Sequence, residues 1–188
     1  MKRLISFLLA LSIGMTSLAQ TTHMHFMGIP IDGTMRNFIS QMQIKGFSVA
    51  ETDSGQVLRG KFAGHDVTVM MDTYGLDNIY QVTVVCERQS RWHILKSEFN
   101  TLVDRYTLKY GEPIVINRDF KDSYSDGCGI EIYGVWTRRV DWLAHWLVEG
   151  GAITMCIAAG SPTEGSIAMV YYDMANGALA QIENDTDL

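Results

Sequence analysis

Near the start of the chain, His23, His25 and Met27 stand at alternate positions of the run His23-Met24-His25-Phe26-Met27. In an extended strand alternate side chains share a face, and imidazole with thioether is a donor set that suits copper. If the chain were cut after Gln20, His23 would also be third from a free amine, an arrangement that binds copper(II) in a plane. One strand supplies few ligands, however, and ordinary polar positions near a chain end are the commoner meaning of such a run. A small copper-binding protein is therefore an alternative reading.

The loop Asp119 to Glu131, DFKDSYSDGCGIE, spaces carboxylates as an oxygen-rich calcium loop does, with a glycine after Asp126. Its register fails. Counted from Asp122, the third position is Tyr124 and the twelfth is Tyr133, where a helix–loop–helix calcium site needs an oxygen donor and a bidentate glutamate. A solvated turn is expected.

For nucleophilic catalysis there is no G-x-S-x-G elbow, and Ser161 in AAGSPTEG lacks the flanking pattern. His65, His93 and His145 are scattered, so an envelope hydrolase is a third reading that needs distant groups to meet in the fold. The chain has neither a phosphate-cradling loop nor a paired-cysteine metal site, and no cofactor is expected.

The aromatic residues carry a different chemistry. Tyr133, Trp136, Trp142 and Trp146 fall close together. On an uncovered sheet face they would form an amphipathic platform for a protein or a glycan, because such rings give large contact area at low entropic cost. Packing beneath helices is the competing expectation. Alternation over Gly129 to Trp136 predicts a strand with Tyr133 opposite to Ile130 and Ile132, which makes Tyr133 the best single outward contact.

These residues need elements to position them. The most secure is a helix in Ser90 to Pro113, where Trp92, Leu95, Phe99, Leu102, Val103 and Tyr106 recur at three- and four-residue steps. Ser90 is the expected cap, Gly111 the left-handed stop, and Pro113 bars continuation. An earlier helix starts at Gly33 or Thr34, carries Met35, Phe38, Ile39 and Met42 on one face, and ends at Gly46. Strands are predicted at 47–52, 57–62, 66–72 and 79–86, where Val82, Val84 and Cys86 share a face. Past the central helix come an extended 113–117, the loop, a hairpin over 141–159 turning at Glu149-Gly150-Gly151, and a last strand at 166–174. The chain ends in a tail at 181–188, whose acidic end NDTDL (184–188) is expected to fray.

The sum is an α+β fold: an antiparallel sheet of about eight strands with two helices on one face, in a pattern that suggests a helix-then-four-strand unit occurring twice. One domain over 20–188 is expected, with half-modules near 20–89 and 90–180. Ahead of it, residues 1–19 have basic Lys2 and Arg3, an apolar run from Leu4 to about Met15, and small Ser17 and Ala19. That is the pattern of a cleaved export signal. The run is shorter than the roughly 20 residues of a permanent span, so no stable membrane insertion is expected.

Without Lys2 and Arg3 the chain keeps 13 basic residues against its 21 acidic ones, a net charge near −8. Such a balance argues against nucleic acid and anionic membranes as partners. The three cysteines, Cys86, Cys128 and Cys156, allow at most one internal disulfide.

The leader followed by FMGIPIDGTMRNFISQMQIKGF, FAGHDVTV and a helix ending in YGEP resembles uncharacterised exported proteins of gut-dwelling bacteria over most of the mature chain. In layout alone, the doubled helix-then-sheet pattern is similar to the β-lactamase inhibitor protein and related small envelope proteins. The resemblance implies an exported α+β module and carries over no activity and no binding residues. The leading expectation is thus a periplasmic or secreted, non-catalytic binding or inhibitor-like module that uses an open sheet face against an unknown protein or surface glycan.

Overall fold

The computed structural model describes residues 22–53 and 55–186, so the expected export signal at 1–19 lies outside the described residues. The chain opens with a small hairpin of β1 (His25–Phe26) and β2 (Ile29–Pro30), joined through Met27 and Gly28 at positive φ. Helix α1 (Met35–Ile44) follows. Thr34 caps it by accepting from the Asn37 amide at 3.3 Å, and Phe38 and Met42 are buried on one face, as their spacing predicts.

Four strands then meander: β3 (Ser48–Thr52), β4 (Gly55–Phe62), β5 (His65–Tyr74) and β6 (Asn78–Cys86). Helix α2 (Trp92–Tyr110) buries its whole predicted stripe from Trp92 to Tyr106 and stops at Gly111, whose φ is +86°. Ser90 is not its cap. Gln89 exchanges two backbone bonds with Gly165, which keeps the chain extended past Ser90, and Arg91 occupies the cap position without a side-chain bond. The second half continues with β7 (Val115–Phe120), a short helix α3 (Glu131–Trp136), β8 (Val140–Val148), β9 (Gly151–Ala159), β10 (Gly165–Asp173) and α4 (Met174–Thr186).

The strands β3 to β10 form one antiparallel sheet in the order β3-β4-β5-β6-β10-β9-β8-β7. Each half lays its strands in chain order from an edge inwards, and the two halves join through β6 and β10, so the helix-then-four-strand layout does occur twice. Register fixes the faces. Leu58, Val69, Val84, Met169, Met155 and Ala144 lie opposite one another across six strands, and every one is buried. Helices α1 and α2 and the β1–β2 hairpin cover this inner face in one continuous core. The next row, Arg59, Thr68, Val85, Ala168, Cys156 and Leu143, faces the other way and is only half-buried or exposed.

Two expectations are corrected at this level. Gly129 to Trp136 contains a helix instead of a strand: Gly134 N donates to Ile130 O, Thr137 N donates to Tyr133 O, and Ile132 enters the core at the position the helical turn dictates. Gly134 permits it, since a Cβ there would lie 2.5 Å from Val140 Cγ2 and 2.8 Å from Tyr124 Cδ1. The end of the chain is not frayed from residue 184, because α4 runs to Thr186, and this helix does not join the other helices. Its Gly177 turns onto the Tyr172 ring, on the outer face of the sheet.

Candidate binding surfaces

The four aromatic candidates divide between two environments. Trp142 and Trp146 stand on the inner face of β8 at 7% and 1% exposure, packed against Trp92 and Tyr106 of α2, so neither belongs to an outward platform. Trp146 Nε1 donates to Gly111 O at 3.0 Å and so ties the sheet to the end of α2. Tyr133 and Trp136 behave oppositely. In a strand an odd and an even position point to opposite faces, whereas three residues apart on a helix they share one. Their rings meet at 5.7 Å with planes 44° apart, at 42% and 47% exposure.

Beside this pair lies a crevice of about 600 Å³, walled by Ser90, Trp92 and His93 from the start of α2, by Asp126, Gly127 and the run from Gly129 to Tyr133, and by Pro162 and Thr163 of the β9–β10 turn. Its walls are fixed by specific bonds. Trp92 Nε1 donates to Asp126 Oδ1 at 2.9 Å, and Lys96 Nζ pairs with the other oxygen. Hydrogen bonds from Lys96 and Trp92 hold the Asp126 carboxyl below the usual carboxylate range. Gly127 N donates to Glu131 Oε1 at 2.6 Å. Glu131 is 4% exposed, yet its second oxygen has no protein partner among the described residues.

A second surface lies on the outer face, where α4 covers only the end around Tyr74, Tyr80 and Tyr172. A bulge between Asp72 and Thr73 shifts the β5–β6 register by one, which keeps Ile79 in the core and turns Tyr80 toward Tyr172. The rest of this face contains an open depression of about 880 Å³. Lys45, Arg59, Lys61 and Arg88 line it against the two acids Asp66 and Glu87. Lys61 pairs with Asp66 at 3.1 Å and Arg88 with Glu164 at 3.6 Å, while Arg59 and Lys45 have no ion-pair partner among the described residues.

The histidine–methionine candidates are placed separately. His23 Nδ1 engages Asp173, His25 is exposed on β1, and Met27 sits in the hairpin turn at φ +52°, half-buried against the core. Among the described residues no three His, Cys, Asp or Glu side chains are grouped to hold a metal ion. His145 Nδ1 lies 2.8 Å from Thr154 Oγ1. No histidine among the described residues is hydrogen-bonded both to a carboxylate and to a hydroxyl or thiol. Burial pushes the Cys86 thiol up to about 11 and raises that of Cys156, which disfavours the reactive thiolate at both. All three cysteines are free.

No protein-family model, no curated protein and no solved structure matches the chain. Among the described residues no helix is long and apolar enough to cross a membrane.

Proposed function

We propose that this chain is an exported, non-catalytic binding or inhibitor-like module of the bacterial envelope or exterior, and that it takes an acidic protein surface on the outer face of its sheet. The observation that carries the reading is the depression around Arg59. A chain rich in acidic residues concentrates four basic side chains against two acidic ones on the face that α1 and α2 leave uncovered. Opposite potentials speed encounter and fix orientation, and a sheet face can supply the roughly 800 Å² per partner that a specific complex buries. The leader-like first 19 residues support the exported setting.

Affinity capture from envelope extracts, with captured proteins identified by mass, tests this reading when the wild type is run beside the double variant Arg59→Glu, Lys45→Glu. The expected result is an acidic partner that is released by salt and absent from the variant, with the variant's unfolding midpoint unchanged. Equal capture by both proteins would remove the assignment to this face.

A further inference from the structure

The α3 corner offers a different chemistry on the other side of the sheet. Tyr133 lines the crevice and Trp136 packs against its ring, so two tilted, exposed rings stand side by side there, a surface on which the apolar C–H face of a flat-lying ring can rest. Behind them, Glu131 is almost wholly buried, is bonded through one oxygen only, and has no cation against it among the described residues. That oxygen is not sealed from the crevice, and a hydroxyl entering there would donate to a charged acceptor, a stronger bond than one between neutral groups. Ser90 and Thr163 add hydroxyls and His93 a ring nitrogen to the same walls.

We infer that this corner binds a neutral sugar unit of a glycan, stacked on Tyr133 and Trp136 with a hydroxyl donating to Glu131. Two alternatives fit less well. An anionic ligand would meet Asp126 and Glu131. A quaternary ammonium would suit the rings and the carboxylate but would leave the Ser90 and Thr163 hydroxyls without use, whereas a polyol matches donors and acceptors together. The inference makes no use of the outer sheet face.

The test titrates the protein with neutral cello-, malto-, xylo-, manno- and chito-hexaoses, read by tryptophan fluorescence and calorimetry. Saturable binding of at least one is expected. Trp136→Ala and Tyr133→Ala should each weaken it about tenfold or more, because rings of this kind dominate contact energy. Both are surface replacements, and their unfolding midpoints should not move. Glu131→Gln keeps an oxygen for Gly127 N and should weaken binding as well, while Arg59→Glu should leave it intact, which separates this site from the outer face. No saturable signal up to about 10 mM sugar, a Kd range at which even weak sites register, would overturn the inference. So would binding indifferent to Trp136→Ala, or saturation by tetramethylammonium in place of the sugars.

Discussion

His23 Nδ1 lies 3.1 Å from Asp173 Oδ2, although 150 residues separate them in the chain. The Asp173 carboxylate has no exposure and also accepts from the Met24 amide at 2.7 Å and the Asn176 amide at 2.8 Å. One carboxylate thus clasps the N-terminal hairpin, the end of β10 and the first turn of α4. Asn176 extends the clasp by donating through Nδ2 to Ile31 O and Ile79 O.

Replacing Asp173 by Asn should therefore cost about 2–4 kcal/mol, since the Met24 and Asn176 amides each use one oxygen and one of them would face an NH2 instead. Chemical denaturation measures it. A loss within error of zero would mean that the clasp adds no stability.

The Asp126 contribution has a definite pH sense. Its carboxyl is depressed in the folded chain by Lys96 first and Trp92 second, so its contribution is present above the ordinary carboxylate range and is lost as pH falls through the folded value. Lys96→Met should move the Asp126 titration, followed by carboxyl NMR, back up toward that range. A titration that stays put would show that Lys96 does not set it.

Thiol chemistry should separate the three cysteines. Cys128 is exposed and should react quickly with a disulfide reagent in the native protein, half-buried Cys156 more slowly, and buried Cys86 only on unfolding. Burial raises Cys86 from 9.0 to about 11, so its share of stability is intact below the lower value and is lost as pH rises through the higher. A fast Cys86 in the native state would contradict its burial.

Gly134 is the residue on which the α3 corner depends. A Cβ at this position would press on Val140 and the Tyr124 ring, so Gly134→Ala should cost about 1–3 kcal/mol and part Tyr133 from Trp136. Denaturation together with the tryptophan emission maximum reads both effects. A stable variant with native emission would show that the turn has room to relax.

Much of the architecture is legible in the residues because the patterns are long. The α2 stripe spans about four turns, Val82, Val84 and Cys86 alternate as a half-covered strand must, and Glu149-Gly150-Gly151 marks the β8–β9 hairpin. α3 is not legible. Over so few residues, Ile130 and Ile132 alternate as a strand would, and only the fit of Gly134 against Val140 decides for helix. That one turn also decides the site, since it brings Tyr133 and Trp136 to a common face. α4 is hidden for another reason: its first turn is capped by Asp173, the last residue of a strand, so one side chain ends one element and starts the next. The signal was Asp173 three residues before Asn176, ahead of an alanine-rich run. Trp142 and Trp146 went inward because β8 presents its even positions to α2, a register that composition does not disclose.

The mirrored strand order also bears on how the chain reaches its native state. Within each half, neighbouring strands are joined by short turns except β7 and β8, which the loop and α3 separate, so most of their pairing closes small loops, while the β6–β10 seam must close a loop holding α2 and the rest of the second half. Contacts of long sequence separation form late, which makes the seam the slow step of folding. Until it closes, β6 and β10 are free edges carrying Val82, Val84, Met169 and Tyr171, an adhesive strip that another unfolded copy could join. The pairing that unites the two halves is, for the same reason, the point at which a slowly folding chain is most exposed to aggregation.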